Sequence, residues 1–313
     1  MNDNIFIKVI IFFVHLFPVI YSQNASTYIY SCNRPGVVAL TYDDGPSQFT
    51  PRLLQTLKSK GVNATFFVLG VAIIKNGPDA LKAAYKGGHQ IALHTNTHPH
   101  LDSLSKAAQI TEMTNVQQVV YDSIGVIPFY MRPPYGECGS ECKQTMRSLN
   151  YIVTLWNDDS NDWRVGSETG NKQPQTTLHF KNLYGPIAKA NPKTDSFIIL
   201  QHDTDETTVN LAPDIIDAIK EKGFTFDTVA GCIGNNTPPP YKKNNNDSIA
   251  NYGNNVTNLS LNNTTNSNIT NSSNNATDSN ITNSSSIHTS FATRLINDYI
   301  LAIAGISITL GFL

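Results

Sequence analysis

The sequence predicts an α/β fold in which a parallel sheet is built from strands joined by crossover helices. Three observations predict it. Seven short runs rich in apolar, β-branched and aromatic residues punctuate the middle of the 313-residue chain: Val37–Tyr42, Ala64–Leu69, Gln90–His94, Ile127–Arg132, Tyr151–Trp156, Phe197–His202 and Phe224–Val229. Helix-like stretches lie between most of them, and strand alternating with helix is the pattern of a parallel sheet. The runs are continuously apolar, which suits strands covered on both faces. Seven strands suggest a barrel, and a doubly wound open sheet fits the same pattern.

The elements follow in order. After the first strand, Thr50 and Pro51 supply an N-cap and first-turn pair for a helix reaching Lys60 and closed by Gly61. Leu81 to Lys86 ends at Gly87-Gly88, Leu104 to Tyr121 is the longest helical pattern, and Ile215 to Lys222 ends at Gly223. Polar residues collect where strands finish. Asp43-Asp44 follow the first run, His94 ends the third and Arg132 the fourth, Asp159 and Asp162-Trp163 follow the fifth, and His202-Asp203 closes the sixth. In parallel α/β folds the C-terminal strand ends meet on one face, where active sites are built, so these distant residues are expected to converge.

Two of these groups carry chemistry. Asp43-Asp44 in TYDDGP and His94-x-x-x-His98 in HTNTHP supply two imidazoles, one carboxylate and a spare carboxylate beside them. Such a set holds a divalent metal and keeps positions open for water and substrate, which hydrolysis needs. Taken singly, an aspartate pair is usually a solvated turn and two spaced histidines usually lie on a surface. Their company at other strand ends favours metal-assisted hydrolysis. His89 and His100 read as surface or loop histidines, with His100 the nearer to the site. Asp159 reads as the cap of a turn.

The ends of the chain speak to location. Ile5 to Ile20 is almost wholly apolar, so residues 1–22 read as a secretory signal, with a membrane anchor the alternative. About two hundred residues then remain for one domain, set at 30–234. Residues 235–290 form an Asn/Ser/Thr-rich tract too poor in apolar surface to order itself. It is studded with glycosylation acceptors at Asn246, Asn255, Asn258, Asn263, Asn268, Asn275, Asn280 and Asn283. Residues 291–313 read as the attachment signal of a glycosylphosphatidylinositol anchor: Ser284-Ser285-Ser286, a spacer, then an apolar run from Tyr299 to Leu313. A simple transmembrane anchor is the alternative. Either arrangement puts the domain at the cell surface. Four cysteines in such a chain suggest two disulfides, a local Cys138–Cys142 bridge and a Cys32–Cys232 tie across the domain's ends, with zinc binding at Cys138-x-x-x-Cys142 the weaker option. The net charge of −2 and the lack of a basic stripe argue against a nucleic-acid partner.

Between Cys32 and Cys232 the chain resembles the polysaccharide deacetylases, carbohydrate esterase family 4, and among them the fungal chitin deacetylases. Five motifs in order carry the resemblance: TYDDGPS, HTNTHPHL, RPPYG, DSNDW and LQHD. Tyr42 stands where the family commonly has Phe, and Asn96 where fungal members often have Trp. The resemblance implies a distorted, incomplete (β/α)7 barrel. It implies Asp44, His94 and His98 as ligands of Zn2+, with Co2+ as the other candidate. It implies Asp43 as general base held by Arg132, and His202 as general acid held by Asp162. The backbone N–H of Tyr135 would help hold the oxyanion, and Trp163 and Leu200 would receive the acetyl methyl. The implied activity converts chitin or its oligosaccharides towards chitosan and acetate at the cell wall, from a lipid anchor in the plasma membrane, with no organic cofactor. Peptidoglycan or xylan is the rival substrate, and a non-catalytic glycan-binding wall protein is the rival class. No protein partner is indicated.

Overall fold

The computed structural model describes residues 28–164, 172–234 and 237–242. The expected signal at 1–22, the tail at 291–313 and all of the 235–290 tract except 237–242 lie outside the described residues. The strands are β1 Val37–Asp43, β2 Thr65–Val68, β3 Gln90–Leu93, β4 Ile127–Pro128, β5 Tyr130–Met131, β6 Ile152–Val153, β7 Asp158–Asp159, β8 Phe197–His202, β9 Thr225–Phe226 and β10 Tyr241–Lys242. The helices are α1 Thr50–Lys60, α2 Gly70–Asn76, α3 Asp79–Lys86, α4 Lys106–Ile124, α5 Ser140–Ser148, α6 Lys172–Lys189, α7 Glu206–Glu221 and α8 Val229–Ile233. Seven strands lie side by side in the order β6-β5-β3-β2-β1-β8-β7, all parallel. The two outer strands, β6 and β7, do not pair, so the sheet curls into an incomplete barrel with helices around it. This is the expected fold class, and it decides against a doubly wound sheet.

Strand alternation explains how one sheet makes both a core and a site. Val37, Ala39, Phe67, Ala92, Tyr130 and Ile198 pack into one buried apolar cluster. Successive strand side chains point to opposite faces, so every second residue onwards shares that side. Counting by two gives Asp43 from Ala39, His94 from Ala92, Arg132 from Tyr130, and Leu200 and His202 from Ile198. Register keeps them level, with Asp43 opposite both Phe67 and His202, and Thr41 opposite Leu200. The barrel is therefore apolar at the N-terminal ends of its strands and polar at the C-terminal ends.

Four sequence expectations change. Thr50 is the first residue of α1 and not its cap; Phe49 precedes the helix without a side-chain cap. The Thr50 hydroxyl instead accepts from the Ser47 N–H at 2.7 Å. The Ile127–Arg132 run is two strands, because Ile127 and Pro128 pair antiparallel with Lys242 and Tyr241 while only Tyr130 and Met131 enter the barrel. The seventh run keeps only Thr225 and Phe226 as strand, pairing with the start of β1, and Val229 opens α8. The strand that does complete the row is β7, two aspartates that no apolar pattern marks. Ordered chain also continues past the expected boundary at 234: Pro240 accepts from the Phe129 N–H at 2.9 Å, and Pro238 from the Tyr130 hydroxyl at 2.8 Å.

Cys32 pairs with Cys232 and Cys138 with Cys142, leaving no free cysteine. The first bridge closes a loop of sequence separation 200. A loop that long removes about 5 kcal/mol of unfolded-chain entropy in the simplest account, and measured losses run about 2–5 kcal/mol. Cys32→Ser with Cys232→Ser is accordingly expected to lower unfolding free energy by about 2–5 kcal/mol in urea. An unchanged denaturation midpoint would contradict it.

Candidate active site

The site begins with a buried ion pair. Arg132 and Asp43 are 0% and 2% exposed. Arg132 Nη1 donates to Asp43 Oδ1 at 2.8 Å and to Thr41 Oγ1 at 2.7 Å, Nε to the Thr154 carbonyl at 3.2 Å and Nη2 to the Leu155 carbonyl at 3.0 Å. The guanidinium lies 4.0 Å above the Phe67 ring centroid. A charge this deep is tolerated because all three nitrogens are satisfied and a carboxylate faces it. Burial pushes the Asp43 carboxyl above its usual range; Arg132 and His202 pull it back without cancelling the shift. Arg132 thus favours the ionised carboxylate and limits the rise that burial causes.

Asp44, His94 and His98 converge next to this pair, their ligand atoms all within 4.8 Å of one another. Asp44 Oδ1 lies 3.5 Å from His94 Nε2 and 3.4 Å from His98 Nε2. That oxygen is buried and accepts no hydrogen bond among the described residues. His94 Nδ1 lies 2.8 Å from the Arg132 carbonyl oxygen. A carbonyl can only accept, so Nδ1 carries the proton and Nε2 keeps its lone pair toward the cluster. Burial holds His94 down at about 3, so the ring is neutral at working pH. Asp44 and His98 reach inward from left-handed backbone, φ 71° and 64°. A neutral imidazole, a second imidazole and an orphaned carboxylate oxygen fit a divalent cation. Glu112 of α4 pins their loop, accepting from the Asn96 and Thr97 N–H groups at 2.9 and 2.8 Å.

His202 faces the cluster from β8. Its Nδ1 is 2.7 Å from Asp162 Oδ1, and its backbone N–H donates to Asp162 Oδ2 at 2.7 Å. A carboxylate only accepts, so Nδ1 carries a proton here too and Nε2 points at Asp44, 4.0 Å from Oδ2. Burial lowers the His202 pKa, but the Asp162 hydrogen bond and the charges of Asp162, Asp43 and Asp44 outweigh it and bring it to about 9. Asp162 is itself held by the Thr208 hydroxyl of α7 at 2.9 Å.

A cavity of about 290 Å³ joins these groups, lined by Asp43, Asp44, His94, His98, Tyr135, Trp163, Leu200 and His202, with Pro133, Gly136, Trp156 and Asp159. Every expected catalytic, metal and substrate residue except Arg132 and Asp162 lines it, and those two sit behind Asp43 and His202. Tyr135 and Trp163 are each 53% exposed at its rim, so Trp163 is not a core residue. Asp159 does cap its turn, accepting from the Asn161 N–H at 2.8 Å, and lines the cavity as well. His100 comes close to the site: its ring stacks on Tyr135 at 3.8 Å and its Nδ1 meets Glu137 at 2.8 Å. His89 is a correction. It lies in the loop before β3, one of the two expected settings, but is buried at the far end of the barrel and not on the surface, accepting from the Ala64 N–H at 3.1 Å.

Sequence reasoning gave no role to Trp156, Gly136 or Asp203. Asp203 Oδ2 accepts from the Thr50 hydroxyl at 2.5 Å and its carbonyl from the Ser47 hydroxyl at 2.6 Å, tying the TYDDGPS turn to the end of β8. A side chain at Gly45 would collide with that carboxylate. Gly136 has φ 71°, and a Cβ there would stand 2.9 Å from Trp156 Cη2. The Gly in RPPYG was a findable signal, because a turn beside a strand end asks for a positive φ. Gly136→Ala is expected to shift the Tyr135 turn and lower kcat about 10- to 100-fold while the protein stays folded by circular dichroism. Full activity in that variant would show that the turn has slack.

The comparisons with known proteins now bear on this geometry. The polysaccharide deacetylase family matches residues 30–154. The chitin deacetylase of Colletotrichum lindemuthianum is 38% identical over 221 residues, covering 69% of this chain and 87% of that protein. The chain belongs to the polysaccharide deacetylase family. Within this family the peptidoglycan-N-acetylglucosamine deacetylase of Bacillus cereus is 32% identical over 194 residues, covering 61% of this chain and 68% of that protein. The solved structure of the Colletotrichum lindemuthianum chitin deacetylase matches at a TM-score of 0.64 and 38% identity, over 69% of this chain and 96% of that one. The polysaccharide deacetylase fold is thus the curled half-barrel described above, and hydrolytic deacetylation is the chemistry of the family that carries it.

Proposed function

We propose that this chain is a metal-dependent deacetylase that removes N-acetyl groups from chitin. One observation carries the proposal. Asp43, buried against Arg132, and His202, partly exposed and paired with the buried Asp162, face the same Asp44/His94/His98 cluster from two sides of one cavity. A binding site for glycan needs neither a buried base nor a histidine kept protonated. Asp44, His94 and His98 would hold the metal, zinc before cobalt, and when bound it supplies Lewis acidity toward the acetamide carbonyl. Asp43 takes the proton of the attacking water, and its raised pKa makes it a stronger base than an ordinary carboxylate. The Tyr135 N–H donates to the oxyanion that forms on the acetamide carbon. His202 gives its Nε2 proton to the departing amine, and Asp162 steadies the charged ring until then. Leu200 and Trp163 enclose the methyl group, and acetate and a glucosamine unit leave.

Chitin is preferred to peptidoglycan because the chitin deacetylase relative is more similar and is covered over more of its length. The two disulfides and the terminal segments support secretion and a lipid-anchored place at the plasma membrane facing the wall. The test is acetate release from an N-acetylglucosamine oligomer, with and without chelator. Chelation is expected to abolish release, and zinc to restore it. His98→Ala is expected to weaken metal retention at least about 10-fold with the fold intact. Undiminished release after chelation would end the metal-dependent reading. Release from peptidoglycan alone would move the substrate to the bacterial type of polymer.

A further inference from the structure

We propose that Asn63 carries an N-linked oligosaccharide, a modification inside the folded domain and separate from the acceptors of the tail. The inference rests on the secretory part of the proposed function. Asn63-Ala64-Thr65 is an N-x-T acceptor. It occupies the short turn between Gly61, which ends α1 in the left-handed conformation, and β2. Asn63 is exposed, and its side chain makes no hydrogen bond among the described residues. Lys86, Gly87 and Gly88 beside it are exposed too. A Cβ at Gly88 would stand 3.3 Å from Asn63 Nδ2, so the glycine leaves room around the amide.

Position makes a glycan compatible with catalysis. Asn63 precedes the N-terminal end of β2, whereas the cavity gathers at the C-terminal strand ends. Four residues of β2, at about 3.3 Å each, separate the amide from the cavity by more than about 10 Å. A polymer lying across Tyr135 and Trp163 would not meet it.

Thr65 fixes the order of events. Its hydroxyl is fully buried, donating to Gln90 Oε1 at 3.2 Å and accepting from the Val229 N–H at 2.9 Å. Those bonds explain the threonine without a glycan, but they leave Asn63 unexplained. They also hide the hydroxyl from a transferase once the sheet has formed, so transfer must precede folding. The donor is a lipid-diphosphate-linked oligosaccharide. Asn63 Nδ2 bonds to the anomeric carbon and loses one proton, and the bond from that carbon to the diphosphate oxygen breaks, with the lipid diphosphate leaving with its electron pair.

The experiment uses the full chain expressed in a eukaryotic host. Trypsin releases the 61–75 peptide, because Lys60 and Lys75 bound it with no basic residue between. Peptide N-glycosidase in heavy-oxygen water is expected to convert Asn63 to a labelled aspartate. Labelled tail acceptors with an unlabelled Asn63 would overturn this proposal and leave the secretory reading standing. No label anywhere would overturn both. Asn63→Gln is expected to remove the label from the 61–75 peptide and hold kcat/KM on soluble oligomers within about two-fold. A ten-fold fall would overturn the remote placement of the glycan. Thr65→Ser keeps the acceptor and is expected to keep the label. Folded, unglycosylated protein offered to the transferase is expected to stay unmodified, and modification there would overturn the order of events.

Discussion

Asp43→Asn is expected to lower kcat by about three orders of magnitude with little change in KM, because it removes the base and leaves the cavity's shape intact. The same change carries a folding cost. Asparagine keeps an oxygen for the 2.8 Å bond from Arg132 Nη1, but it leaves a fully buried guanidinium without a counter-charge. Removing one partner of such a pair costs about 3–5 kcal/mol. Kinetics and unfolding in urea therefore have to be measured on the same preparation. A folded variant retaining a tenth of the wild-type kcat would remove Asp43 from the base role. Metal content gives a second readout: Asp44, His94 and His98 are untouched, so zinc retention is expected to stay near wild type. Activity and zinc lost together would mean that the substitution had disturbed the cluster.

The chain's legibility followed the physical origin of each signal. Val37–Asp43 and Phe197–His202 were readable because strands buried on both faces write themselves as unbroken apolar runs. Placing polar residues at the ends of those runs was enough to collect Asp43, His94, Arg132 and His202 in advance. The resemblance supplied their roles, which periodicity could not. Asp158–Asp159 was not readable as a strand, because it is two residues long and acidic, and it pairs with Ile199 and Leu200 through backbone alone. The Ile127–Arg132 run concealed its break because the partner that splits it, Tyr241–Lys242, lies more than a hundred residues away, past the apparent end of the domain. The burial of the loop residue His89 went unread for a related reason. Its burial comes from the Ala64 N–H and the Phe66 ring, contacts that only the closed sheet creates.

Asp162→Asn should produce the other large effect, and its signature is a pH profile. Burial alone would depress the His202 pKa; the Asp162 hydrogen bond and charge are the leading causes that raise it to about 9. Wild-type kcat/KM is therefore expected to hold through neutral pH and decline as His202 loses its proton near pH 9. With the carboxylate replaced, burial prevails and the ring is neutral at pH 8. The alkaline limb is expected to move down by about two pH units or more, and activity at pH 8 to fall at least about 10-fold. Stability follows the same linkage. The folded pKa lies above the unfolded value of 6.5, so the folded state binds the extra proton. The stabilisation, on the order of 3 kcal/mol, is fully present below about pH 6.5 and is lost as pH rises through about 9. Urea midpoints of metal-free wild type and variant are expected to differ most in acid and to converge in alkali. A difference that stays constant from pH 6 to pH 10 would mean that Asp162 supports the fold around Thr208 and the His202 N–H without holding the proton on the ring.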